Sequence, residues 1–111
     1  MAPLDWNEIK DRYKGGTNVP YLVGSKTFQI KEVTDDAIHF KWRLIEGTIK
    51  RRDLERIVEL IEQGAVRPDK VTLTSDYRTL VTDERPTTAI AILQDLGYIE
   101  DTSPADSTHA T

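Results

Sequence analysis

The segment FQIKEVTDDAIHFKWRL, residues 28–44, decides the fold because apolar and polar residues alternate along both of its halves. Alternation with a period of two is typical of a β-strand that buries one face. Between the two runs, 28–33 and 37–44, Thr34-Asp35-Asp36 supplies residues that favour a turn. The segment therefore predicts an antiparallel hairpin.

The apolar positions also predict the register of this hairpin. Pairing Val33 with Ala37 places Ile30 opposite Phe40 and gathers the large apolar side chains on one face. The polar residues then share the other face, with Gln29 beside Lys41 and Lys31 beside His39. We therefore expect the outer face of the hairpin to be basic.

Helical patterns surround the hairpin. A first helix is predicted over residues 4–14, and a central amphipathic helix runs from Arg51 or Arg52 to Gln63, before Gly64. Two further helices are predicted over Ser75–Val81 and Pro86–Leu96, with residues 65–73 ambiguous between helix and strand. A brief strand is expected at residues 21–23, and a brief edge strand at residues 48–49. The fold class is α+β: an N-terminal helix, a small antiparallel β-meander, a central amphipathic helix and a C-terminal helical pair.

Length and composition predict one globular domain over residues 1–100. The chain has 111 residues, 38% of them hydrophobic and 31% charged, and residues 101–111 read as a disordered acidic tail. The sequence contains no run of 18 apolar residues, so no membrane span is predicted. The sequence has no cysteine, which excludes disulfides and thiolate metal sites and fits a cytoplasmic protein.

Residues 75–99 resemble a helix-turn-helix unit of the winged-helix kind, formed by Ser75–Val81, a short turn and Pro86–Leu96. The resemblance implies that the start of the second helix faces a DNA groove, with Arg85, Thr87 and Thr88 nearest the bases. The sequence departs from that pattern because only Arg85 is basic here and the polar tail offers no hairpin wing. The same spacing also fits a packing helix in an α+β core.

Residues 41–56 form a basic region in an acidic chain. They contain six basic and three acidic residues, whereas the whole chain has a net charge of −4. We expect the phosphate-binding or partner-binding side chains to be Lys41, Arg43, Lys50, Arg51 and Arg52. Clustered cations of this kind bind nucleic-acid phosphates, and they suit an acidic protein surface equally well.

These features predict a small non-enzymatic nucleic-acid-binding protein, such as a transcriptional regulator or an accessory of a mobile-element or defence system, acting on duplex DNA. The alternative is a protein–protein interaction module or inhibitor whose basic face binds an acidic partner. No cofactor, metal or catalytic residue is expected, since His39 and His109 lack partners at triad or metal-ligand spacing. Homo-oligomerisation is compatible with either function.

Overall fold

The computed structural model describes residues 4–22 and 25–99, and it confirms the α+β class. The described elements, in chain order, are α1 (Trp6–Arg12), β1 (Thr17–Pro20), β2 (Thr27–Val33), β3 (Ala37–Trp42), β4 (Ile45–Lys50), α2 (Arg51–Glu62), α3 (Lys70–Leu80) and α4 (Pro86–Asp95). The four strands form one antiparallel meander in the order β1-β2-β3-β4. The predicted order of helix, meander and helices is therefore confirmed.

The β2–β3 register agrees with the prediction on one side of a bulge and differs on the other. Ile30 lies opposite Phe40 as expected, but beyond Ile30 the register shifts, so that Val33 faces Ile38 and not Ala37. Without the extra residue, Val33 would point to the outer face of the sheet. The bulge returns Val33 to the apolar side, where it packs against the core. It also places Glu32, not Lys31, opposite His39.

Strand β4 is longer than the sequence predicts. Glu46 and Gly47 lie inside it, whereas the sequence pattern treats them as a break. A Cβ at position 47 would lie 2.6 and 2.8 Å from ring atoms of Phe40, so glycine stands here because the neighbouring ring takes that space. The strand expected at residues 21–23 is displaced too: β1 ends at Pro20, and Val23 lies outside the described residues.

One face of the sheet is buried beneath the helices. Its side chains join the helices in a single apolar cluster, and the predicted stripe of α2, formed by Leu54, Ile57, Val58 and Ile61, is buried in it. Helix α4 is the most deeply placed, since seven of its ten residues are buried. The Tyr13 hydroxyl donates a hydrogen bond of 2.7 Å to Asp95 Oδ2, which joins the end of α1 to the end of α4.

The second half of the stretch that is ambiguous from the sequence is helical, because it forms the start of α3. The Asp69 side chain accepts a hydrogen bond of 2.9 Å from the Val71 backbone N–H, so the helix begins at Lys70 and not at Ser75. Val71 is 76% exposed, while Leu73 and Tyr77 are buried one turn apart. The cap and this buried pair outweigh the strand preference of the β-branched residues. No helix in the described ranges meets the length and hydropathy needed to cross a bilayer.

Candidate interaction surface

The predicted basic cluster lies where β4 passes into α2. Lys50 is the last residue of β4 and the N-cap of α2, and no described side chain caps the helix there. The Arg51 backbone N–H donates to Asp36 O at 2.7 Å, which satisfies one of the free N–H groups of the first turn. Three consecutive cations thus stand at the positive end of the helix dipole, where cations are unfavourable.

Arg51 has a structural role in this cluster. Its Nε lies 3.2 Å from Glu55 Oε2, its Nη1 donates to Asp35 O at 3.1 Å, and its guanidinium carbon lies 5.2 Å from the centre of the Trp6 ring. The side chain therefore ties the β2–β3 turn and α1 to the start of α2. Arg51 therefore has structural contacts through Nε and Nη1, and its expected role in binding a partner stays a prediction.

Lys50 and Arg52 are the accessible cations of the cluster. Lys50 is exposed and makes no ion pair with any described residue. The Arg52 side chain is 78% exposed, and its one ionic contact is a long one, 3.8 Å from Nε to Asp53 Oδ1. Both line a cleft of about 630 Å³, together with Asp36, Ala37, Thr48, Arg51 and Glu55.

The outer face of the sheet is mixed in charge, so the expectation of a basic face is wrong. Lys41 is half-buried and lies directly opposite Glu46, and His39 lies opposite Glu32. Opposite charges across an antiparallel pair neutralise one another locally. Arg43 lies apart from the cluster, in the β3–β4 turn, with its guanidinium carbon 4.7 Å from the Trp42 ring centre.

The three residues expected at the start of α4 differ in accessibility. Arg85 is exposed and holds a left-handed backbone (φ 49°), with its guanidinium carbon 5.9 Å from the Phe40 ring centre. Thr87 is exposed as well. Thr88 is only 5% exposed, so the expectation that it reaches a base is wrong. The helical pair exists, and seven of the ten residues of α4 are buried in the core, so only a small part of this helix is accessible.

The edge of β4 is covered by no other described strand, and it is longer than the brief edge strand that the sequence predicts at residues 48–49. Leu44 and Ile45 begin this edge and are 94% and 44% exposed. The opposite edge is better protected, because β1 has four residues, ends in proline and lies beside α4. A signal was present in the alternation of Ile45, Gly47 and Ile49, which share one face of β4.

Two depressions border this edge at Thr48. One is the cleft at the start of α2. The other, of about 540 Å³, lies between β4 and the α3–α4 loop and is lined by Gly47, Thr48 and residues 83–85. We call the exposed side of residues 44–50, together with the Lys50 and Arg52 side chains, the β4 surface. It combines an unpaired strand, two apolar side chains and two accessible cations.

The described residues contain no group of three or more His, Cys, Asp or Glu side chains placed to hold a metal ion. The strongest titration effects are structural: burial raises the pKa of Tyr13 well above its ordinary value, and its hydrogen bond to Asp95 adds to the effect. Burial likewise raises the pKa of Tyr77. Neither tyrosine lies on the β4 surface.

Comparison with known proteins yields no relative from which a function could be transferred. No family model, no curated protein and no solved structure matches the chain.

Proposed function

We propose that this protein is a non-enzymatic protein-interaction module. Its β4 surface binds an extended segment of a partner, and an acidic side chain of that segment lies beside Lys50 and Arg52. The observation that carries the proposal is the position of these two accessible cations at the end of an uncovered strand.

An uncovered strand binds through its backbone. Its outward N–H and C=O groups are ready to pair with an added strand, and the alternating side chains of the strand then select the partner. On β4 the outer-face side chains are Glu46, Thr48 and Lys50, all exposed. An added strand therefore meets an acidic, a neutral and a basic position in turn.

The basic end of the surface favours a carboxylate. Lys50 and Arg52 stand at the positive end of the α2 dipole, which costs stability until an anion lies beside them. A carboxylate in the neighbouring cleft offsets both the side-chain charges and the dipole. Its presence thus turns an unfavourable arrangement into a binding contribution.

Duplex DNA is the second candidate, because Lys50 and Arg52 could equally contact phosphates. In that case the protein would act as a transcriptional regulator or an accessory of a mobile-element or defence system. The peptide partner is favoured because Arg51 pairs with Glu55, Lys41 lies opposite Glu46, and the two accessible cations neutralise few phosphates. Under this alternative, affinity would fall steeply with salt in proportion to the phosphates contacted.

An NMR titration of the isotope-labelled protein separates the two candidates. The probes are a capped pentapeptide, Glu-Val-Thr-Val-Lys, and a random DNA duplex of about 20 base pairs. We expect the peptide to shift amide resonances of Ile45–Lys50 and the first turn of α2. Lys50→Glu should abolish these shifts, whereas Lys14→Glu, an equal charge change on the exposed residue after α1, should not.

Two results would overturn the proposal. One is an absence of peptide-induced shifts in a monomeric sample. The other is peptide binding that maps elsewhere or survives Lys50→Glu. If DNA alone shifts the Lys50 and Arg52 resonances, the nucleic-acid candidate replaces the proposal.

A further inference from the structure

We infer that the segment bound by the β4 surface is β4 of a second copy of this chain, so that the protein forms a two-fold symmetric dimer with a continuous eight-stranded sheet. This inference rests on the proposed function and names its partner. It is carried by the charge pattern of β4, which is complementary to itself when the strand is reversed.

The complementarity centres on Thr48. If two antiparallel β4 strands meet with Thr48 opposite Thr48, then Glu46 of each copy lies opposite Lys50 of the other. Both residues are exposed on the outer face, so the two opposed pairs form without burying an unpaired charge. The outer-face residues of β4 are therefore complementary in charge to the same residues of a second, antiparallel β4.

Neighbouring registers lose this match. Centring the pair on Gly47 or Ile49 places Thr48 opposite a charged residue and leaves Glu46 and Lys50 unmatched. A slip by a single residue sets the outer face of one strand against the inner face of the other. Of these registers, only the one centred on Thr48 satisfies both the charges and the pleat.

The same register also determines where the apolar residues of β4 lie relative to the second copy. Gly47 lies opposite Ile49 of the second copy and presents no side chain against it. Ile45 and Leu44 continue past the paired strands toward the start of the other copy's α2, where the cleft beside Arg52 opens. Leu44 is the most exposed large apolar residue among those described, and dimerisation would cover it.

Charge-swap variants test the inference by sedimentation or by light scattering after gel filtration. The wild-type protein should associate to a dimer as its concentration rises. Glu46→Lys and Lys50→Glu each oppose like charges twice per dimer, and each should weaken dimerisation at least about tenfold. Mixing the two variants pairs opposite charges again, so the equimolar mixture should dimerise when neither variant does alone.

The double variant Glu46→Lys/Lys50→Glu serves as the second readout. It keeps the complementarity with the charges exchanged, and it should dimerise like the wild type even if a single variant folds poorly. Lys14→Glu should leave dimerisation unchanged.

The inference is overturned if the wild type stays monomeric up to about 1 mM, or if the single variants dimerise as tightly as the wild type. It is equally overturned if the mixture and the double variant stay monomeric. In each case the outcome is distinct from failure of the proposed function: a monomer that still binds the pentapeptide through Lys50 retains the function, whereas a monomer that binds no peptide loses both.

Discussion

Gly47→Ala tests the packing that shapes the β4 surface. The new Cβ would lie 2.6 and 2.8 Å from Phe40 ring atoms and 3.3 Å from Arg85 Nε. Phe40 is buried, so its ring has little room to move away. Overpacking of this kind costs about 1–3 kcal/mol, and the reduced entropy of the unfolded chain returns about 0.4–1 kcal/mol. We expect a net loss of about 1–2 kcal/mol in the free energy of unfolding.

Urea and thermal denaturation measure this loss. For a domain of this size, 1–2 kcal/mol corresponds to a fall in Tm of roughly 5–15 °C. The backbone of Gly47 is not in the left-handed region, so an effect on φ does not complicate the comparison. The measured loss of stability therefore reports the steric contact of the new methyl group and not backbone strain.

A double-mutant cycle with Phe40→Leu supplies the control. Leucine lacks the ring edge that the new methyl group meets, so Gly47→Ala should cost clearly less in that background. Equal costs in both backgrounds would refute the steric explanation. So would a Gly47→Ala variant that is as stable as the wild type.

The remaining predictions concern the helix ends and the titrating groups. Asp69→Ala removes the side-chain cap of α3 and should cost about 1 kcal/mol in urea denaturation. Arg51→Ala should cost about 1–2 kcal/mol because three contacts are lost, whereas Arg52→Ala should change stability by less than about 0.5 kcal/mol. Burial raises the pKa of Tyr13 and Tyr77, so these residues stabilise the fold fully below their ordinary pKa of 10 and progressively less as pH rises above it. Tyr13→Phe should therefore flatten the loss of Tm between neutral and strongly alkaline pH.

Each of these expectations has a matched comparison. Asp69→Asn keeps a capping oxygen and should restore most of the stability that alanine loses. Equal effects of alanine at Arg51 and Arg52 would contradict the division of roles within the basic cluster. An unchanged alkaline profile in Tyr13→Phe would mean that the buried hydroxyl does not couple to folding.

The sheet shows which features can be predicted from neighbouring residues in the sequence and which depend on the rest of the fold. Alternation around Ile30 and Phe40 specifies their pairing, because a slip of one residue would place the two side chains on opposite faces of the sheet. The bulge at Lys31 is not specified in this way: both registers keep Ile30 inside, and only packing of Val33 against the rest of the core decides between them. The need for glycine at position 47 is likewise not visible in the local sequence, because it comes from the Phe40 ring on the neighbouring strand.

The helices show how tertiary context overrides a local preference. Residues 71–74 have the β-branched composition of a strand, and they are helical because Asp69 caps them and Tyr77 is buried. For α4 a usable signal was present: residues 89–93 are five consecutive apolar residues, which indicates a helix buried on every side. That signal predicts the burial of α4 that the structure shows.

The basic cluster shows the limit of counting charges along a sequence. Arg51 and Arg52 are adjacent and chemically identical, yet successive side chains on a helix point about 100° apart. One therefore turns toward Asp35 and Glu55 and the other toward solvent. Glu46 lies across from Lys41 and reduces the local field further.

The two accessible cations of the basic region, Lys50 and Arg52, interact with other charges only over short distances. Exposed charges are screened over about 10 Å at 0.1 M salt, so Lys50 and Arg52 alone cannot sustain a long-range field from an acidic chain. They can still select a carboxylate that is held a few ångströms away by a paired strand. In the proposed complex, backbone pairing to β4 would hold such a carboxylate within this range, and the two cations would select its register. We therefore favour a partner that binds as a strand over one attracted as a polyanion.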